Sequence, residues 1–438
     1  MGRIFNRTLI GCLAGALVVS LAAANAEAGG VLVRYKGVSD QGALNLVENA
    51  NMVRIESGET DPNDLAEELN KDPNVELAEP DYPLTLADLP DDPYFEAFDF
   101  YNYQMSEVFD AWNVTSDCDQ VLVAILDTGV DTHHPDLKSN LWFNANEIPG
   151  NGADDDGNSY TDDYLGYNFV DYNTDVTDRN SHGTRVTGII GAVGNNAIGM
   201  SGICRTAQVL PLKVFRDNGT GDVSNAIEAI DYAVNAGAKI INVSWTFVAD
   251  TGSLFLEETI QRAEAKGVLI VAATGNDKKN LAVDPVYPAA YDLPNVIAVA
   301  ALDPYGHLAP FSNYGDGIVD IAAPGIAIVT TDPDVDFVYF TGTSAAAPHV
   351  SAVAALILSG NPGLTPDQVI EQLKSTSSQN ESLEGLITSS RMLNAAQAVG
   401  SAPPVSLPAS TDTPESATEE GAPSEEPSAG GCGLSKSK

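Results

Sequence analysis

The sequence predicts an α/β fold, a doubly wound and mainly parallel sheet with helices on both faces, preceded by a small α+β unit. Three observations carry this. Continuous apolar runs recur at 121–126, 209–214, 240–243, 268–273 and 296–301. Helical patterns such as 223–236 and 254–266 lie between them. Strands without polar alternation are buried on both faces, and strands alternating with helices make parallel crossovers. The third observation is size: 438 residues, 44% of them apolar, suffice for a large core with accessory segments.

The elements follow in order. Residues 1–28 read as a secretory signal peptide. Arg3 and Arg7 supply the basic start, 9–24 is apolar, and Ala24-Asn25-Ala26 or Ala26-Glu27-Ala28 offers a small-x-small cleavage site. The mature chain is expected to be secreted, outside the cytoplasm, with no membrane attachment once the signal is cleaved. Residues 29–87 form a small β-α-β-α-β unit, marginal on its own. Its strands are 31–35, 52–55 and 75–78, and an acidic helix at 61–71 is capped by Asp64. Residues 88–400 hold the alternating strands and helices. Residues 401–438 are rich in Pro, Ser, Thr and Glu, without the periodicity needed for a core, and include a lone Cys432.

Acidic side chains number 61 and basic ones 21, a net charge of −40. Nucleic acid and anionic membranes are thereby excluded as partners, and cations become natural ones. Residues 88–400 alone carry 42 acidic and 13 basic side chains, a net of −29. The surplus therefore belongs mostly to the large unit. Four cysteines are too few for a disulfide-dense scaffold.

Only five histidines exist, which shortens the search for a general base. Asp127 ends the first strong apolar run, in Leu126-Asp127-Thr128-Gly129, at the strand end where such sheets bind ligands. His182 lies in Asn180-Ser181-His182-Gly183-Thr184, ahead of a helix pattern at 186–193. Ser344 lies in Gly342-Thr343-Ser344-Ala345, ahead of a helix at 350–359, where backbone donors and the helix dipole favour a nucleophile. Each motif alone is weak. Together they follow the chain order Asp, His, Ser, one of the three known arrangements of a catalytic triad.

With Val271-Ala272-Ala273-Thr274-Gly275-Asn276 as a fourth segment, the chain resembles the subtilisin-like serine proteases, thermitase-type members above all, from about residue 88 to 399. The resemblance implies a serine endopeptidase acting on protein or peptide substrates. Ser344 would attack, His182 would relay the proton, and Asp127 would orient the imidazole. Asn276 would donate to the oxyanion, the role the family's asparagine plays as the standard example, about 10²–10³ in turnover. Ser244, Trp245 and Thr246 would form one wall of the pocket for the residue before the scissile bond. Ala272, Ala273, Thr274 and Gly275 would form the other. Three positions depart from the family pattern. Arg185 stands where a second histidine is usual, Ala345 where methionine commonly follows the nucleophile, and Thr246-Phe247 where two glycines are usual. The last change predicts a narrowed or reshaped pocket.

The same resemblance makes 29–87 a propeptide, an intramolecular inhibitor and folding aid. Self-cleavage is expected after Leu84, Leu86, Ala87 or Leu89. A monomer needing Ca²⁺ and no organic cofactor is implied. Asp92, Asp136 and Asn196, with main-chain oxygens of Ile198 and Met200, align with a family calcium site. Asn168, Asp171, Asn173 and Asp175 align with a second. Asp154, Asp156, Asn158, Asp162 and Asp163 form an insertion whose alternate spacing is similar to half of an EF-hand loop. Cys118 and Cys204 precede neighbouring strands of the family fold and are expected to form a disulfide. An inactive calcium-binding protein on the same fold, and a nonspecific esterase, are the competing readings.

Overall fold

The computed structural model describes residues 30–36, 52–58, 60–80, 90–97, 100–333 and 336–400. The signal segment, the proposed cleavage sites, the first helix expected in the small unit, and the 401–438 tail lie outside the described residues. The chain divides into two compact units, Met1–Leu86 and Ala87–Lys438.

In the first unit, β1 (Gly30–Tyr35), β2 (Met52–Glu56) and β3 (Val75–Pro80) form an antiparallel sheet of order β2-β1-β3. Helix α1 (Pro62–Leu69) packs Ala66 against Val31, Val33, Val75 and Ala78. Its cap is Asp61, not Asp64: Pro62 opens the helix, and the Asp61 carboxylate accepts from Asn63 N at 2.8 Å. Proline is tolerated in the first turn because the N–H it lacks has no partner there.

The second unit opens with three short helices, α2 (Tyr94–Ala97), α3 (Tyr101–Met105) and α4 (Val108–Ala111). Its sheet begins with β4 (Asp117–Asp127) and β5 (Tyr167–Asn168). Helix α5 (His182–Gly191), β6 (Thr206–Lys213), α6 (Val223–Asn235) and β7 (Ile240–Val243) follow. Then come α7 (Leu254–Glu264), β8 (Leu269–Ala273), β9 (Val296–Leu302) and β10 (Ile321–Pro324). A hairpin of β11 (Ile328–Asp332) and β12 (Asp336–Phe340) precedes α8 (Thr343–Gly360). Helix α9 (Pro366–Thr376), β13 (Ser378–Gln379), β14 (Arg391–Met392) and α10 (Ala395–Ala398) close the unit.

The nine strands run in the order β13-β14-β10-β9-β8-β7-β4-β6-β5, and only the β13–β14 pair is antiparallel. The apolar side chains of α5 and α8 cover one face, and those of α6 and α7 the other. This is the doubly wound arrangement expected. Helix α8 is long and apolar enough to cross a bilayer, but it is the central core helix, with almost every side chain buried. Cys118 and Cys204 form the expected disulfide across the parallel β4–β6 edge, with Cα atoms 5.6 Å apart. Cys118 lies inside β4 rather than before it.

Candidate active site

Three carboxyl-end features of the sheet converge. Asp127 is the last residue of β4, His182 the first of α5, and Ser344 the second of α8. The sequence places the start of this helix at 350; the helix instead begins at Thr343 and carries Pro348 inside it. Pro348 has no N–H to offer the carbonyl four residues earlier, which is that of Ser344. Ser244 Oγ donates to that carbonyl at 3.1 Å. In return Ser344 Oγ donates to the Ser244 carbonyl at 2.9 Å. The start of α8 and the strand end beyond β7 are thus joined by a reciprocal pair.

His182 Nδ1 bonds Asp127 Oδ1 at 2.7 Å. A carboxylate only accepts, so Nδ1 carries the proton and Nε2 is left as the base. Burial pulls the imidazole pKa down, but the charge and hydrogen bond of Asp127 outweigh it, with help from Asp178, and the net shift is upward. Asp127 Oδ1 also accepts from Thr128 N at 2.7 Å, and Oδ2 is buried without a hydrogen-bond partner. Among the described residues, no hydrogen bond joins Ser344 to His182; its hydroxyl is turned to Ser244.

The surroundings hold this pair in place. Asp178, 4% exposed, accepts from Thr128 Oγ1, Asn180 N, Ser181 N, Thr184 N and Thr184 Oγ1, all at 2.8–2.9 Å. Ser181, which precedes His182, sits at a left-handed φ of 80°, a conformation that these bonds sustain. Gly183 admits no side chain: a Cβ there would lie 2.1 Å from the Gly129 carbonyl oxygen. Lys213 Nζ, itself buried, donates to the Thr128 carbonyl at 2.6 Å. Trp245 Nε1 donates to the Leu126 carbonyl at 2.9 Å. Arg185 reaches the buried Asp332 of β11 at 2.7 Å, and Phe340 lies edge-on to His182.

Asn276 Oδ1 accepts from Thr343 N at 2.9 Å and Thr343 Oγ1 at 3.1 Å. Its oxygen is therefore committed, and its Nδ2 remains a donor beside Gly342 and Ser344 N. Val243 pairs with Ala272, the last rung of the β7–β8 ladder. Beyond it Thr246 comes close to Gly275, where an added Cβ would lie 3.5 Å from Thr246 Oγ1. A cavity of about 130 Å³ beside the His–Asp pair is lined by Asn180, Phe215, Gly219, Ser244 and Trp245.

Three groups of oxygen ligands can be compared for cations. Asp92 and Asp136 are buried together. Asp92 accepts from Asn195 N and Asn196 N, and Asp136 from Asn196 Nδ2 at 2.7 Å and Met200 N at 3.1 Å. Ile198 N donates to Asn196 Oδ1. Burial raises both carboxyl pKa values, that of Asp136 to about 7, a cost that a divalent cation offsets. In the insertion, Glu147, Asp154 and Asp156 bring oxygens within 4.8 Å of one another. Glu147 is 4% exposed, and its Oε2 is buried without a hydrogen-bond partner. The donor set fits Ca²⁺. Asn158 and Asp163 lie alongside, linked at 2.8 Å, while Asp162 turns away to accept from Asn151 N and Gly152 N. At the remaining group, Asn168 Nδ2 points at Asp171 Oδ2, Asn173 accepts from Asp175 N, and Arg179 binds the Asp175 carboxylate. The sequence reading missed Asp178, Thr343 and Glu147. A carboxylate four residues before a candidate base was the one available signal for Asp178.

Comparison with known proteins gives concordant matches. The profile of the subtilase family matches residues 119–400. The thermophilic serine proteinase of Bacillus sp. (strain AK1) is 38% identical over 305 residues, 69% of this chain and 68% of that protein. Subtilisin-like protease 1 of Plasmodium berghei (strain Anka) is 35% identical over 60% of this chain, which spans 46% of that protein. A solved cold-adapted subtilisin-like serine proteinase superposes with a TM-score of 0.53 at 28% identity, over 64% of this chain and 90% of that one. A solved Pseudoalteromonas arctica protease gives 0.58 at 29% identity, over 71% and 98%.

Proposed function

The chain belongs to the subtilase family, whose subtilisin-like members are serine peptidases that hydrolyse peptide bonds, and on that premise we propose that it is a secreted, calcium-stabilised endopeptidase made as a proenzyme. The supporting observation is the His182–Asp127 bond, which leaves Nε2 free to act as a base.

In this reading Ser344 Oγ swings from Ser244 to His182, gives its proton to Nε2 and attacks the scissile carbonyl. The oxyanion is held by Asn276 Nδ2 and Ser344 N, donors fixed before substrate arrives. Imidazolium formation gives the half-paired Asp127 carboxylate a full counter-charge. His182 then protonates the leaving amine. The acyl-enzyme is released when water, deprotonated by the same base, repeats the attack. Residues 1–28 serve as signal, 29–87 as inhibitory propeptide, 88–400 as the catalytic domain and 401–438 as a tail. Asp92, Asp136 and Asn196, and separately Glu147, Asp154 and Asp156, hold calcium that supplies structural charge balance and no catalytic step.

A serine-directed fluorophosphonate tests this. Labelling of Ser344 in folded, propeptide-free protein, lost in Ser344→Ala, supports the peptidase. No labelling of folded protein supports an inactive calcium-binding relative instead, and ester turnover without peptide cleavage supports an esterase.

A further inference from the structure

The family resemblance places the residue before the scissile bond in a cleft between two walls, the segments 244–246 and 272–275. A Cβ built on Gly275 would meet Asn313 Nδ2 at 2.7 Å, then Thr246 Oγ1 at 3.5 Å and Thr246 Cγ2 at 3.6 Å. The Thr246 side chain therefore stands within van der Waals reach of the opposite segment at Gly275. Neither wall can retreat easily. Ser244 is bonded to Ser344 in both directions. Trp245 is anchored on Leu126. Phe247 exchanges two backbone hydrogen bonds with Tyr287, at 2.8 and 2.9 Å, and their rings lie 5.8 Å apart. On the other side, Asn313 Nδ2 donates to the Thr274 carbonyl at 2.8 Å, and Asn313 N donates to the Gly275 carbonyl at 2.9 Å. Threonine is β-branched, so its side chain has few rotamers in which to step aside.

We propose, building on the peptidase reading above, that Thr246 bars the cleft to large side chains, so that the enzyme cleaves after glycine, alanine or serine and not after leucine, methionine or phenylalanine. Packed walls reject extra methylenes because overfilling forces strained rotamers or backbone shifts. The same rule selects among the self-cleavage candidates. Of Leu84, Leu86, Ala87 and Leu89, only Ala87 presents a side chain small enough, which puts the mature N-terminus at Asp88.

Two measurements test this on the full-length protein. The first is the ratio of kcat/KM for matched peptides with Leu and with Ala before the scissile bond, on enzyme whose Ser344 takes the fluorophosphonate. The expected ratio is below one tenth, rising at least tenfold in Thr246→Gly, within the roughly 10–200-fold that a methylene-scale change in a pocket commands. A labelled wild type that cuts after Leu as fast as after Ala overturns the proposal and leaves the peptidase reading standing, as does an unchanged ratio in Thr246→Gly. Absence of both labelling and cleavage overturns the two together. The second measurement is N-terminal sequencing of the processed protein. A start at Asp88 supports the proposal, and a start at Thr85, Ala87 or Pro90 overturns it.

Discussion

Asp178→Asn should damage this protein more than most changes outside the triad. The carboxylate makes five hydrogen bonds in a buried pocket. Its Oδ1 takes Thr128 Oγ1, Asn180 N and Ser181 N, and its Oδ2 takes Thr184 N and Thr184 Oγ1. Asparagine can keep the first three but must present an NH₂ group to the Thr184 amide. Hydrogen bonds to a buried charge contribute about 1.5–3 kcal/mol each, so losing two costs about 3–6 kcal/mol. Urea unfolding measures that loss. The second readout is the acid limb of kcat/KM. His182 works as a base only when neutral, and the charge of Asp178 contributes to its raised pKa. Removing the charge lowers that pKa, so the acid limb should move to lower pH. A stability loss under about 1 kcal/mol, or an acid limb moving upward, would refute the assignment of Asp178 as the positioning residue.

Further outcomes follow from other groups. Replacing Cys118 and Cys204 by alanine opens an 86-residue loop, and the chain-entropy relation gives a loss of about 4–5 kcal/mol, read as a fall in urea midpoint. His349 is buried between Asn102 Nδ2 and the Ala345 carbonyl, and burial holds its pKa down to about 4. The unfolded chain takes up a proton near its ordinary 6.5 and the folded chain does not. Stability should therefore fall between about pH 6.5 and 4 by about 3 kcal/mol and level off below, and His349→Gln should flatten that part of the profile. Added Ca²⁺ should raise the melting temperature, and Glu147→Gln, which keeps the Oε1 acceptor for Asp155 N and Asp156 N, should reduce that rise. An unchanged calcium response in the variant would remove Glu147 from the ligand set.

Much of the fold was legible because the core strands are runs of mostly apolar residues. Asp127 stood out because it closes such a run, and His182 because histidines are few. Helix ends were read less well. Asp64 was taken for the cap of a helix read at 61–71, although Pro62 fixes the helix start and leaves Asp61 as its cap. The α8 start was placed too late, at 350: the helix begins at Thr343 and carries Pro348 in its second turn, where Ser244 Oγ takes up the Ser344 carbonyl that the proline leaves without an N–H. Asp178 and Glu147 were missed for a different reason. Most of their bonds go to backbone amides of their own or the adjoining loop, and no hydrophobic periodicity records a loop folding back on a carboxylate. The cleft was half legible: Thr246 announced a bulkier rim, but only the Gly275 approach shows how far across it reaches.

In the proposed function, the reciprocal bonds between Ser244 and Ser344 gear the part of the molecule that chooses a substrate to the part that cuts it. A substitution that bends the wall strand displaces the nucleophile as well, and one that shifts the head of the central helix reshapes the cleft. Variants bred for a new cleavage preference should therefore lose turnover in step with the change, unless the pair is kept and only side chains further along the wall, from Thr246 onward, are varied.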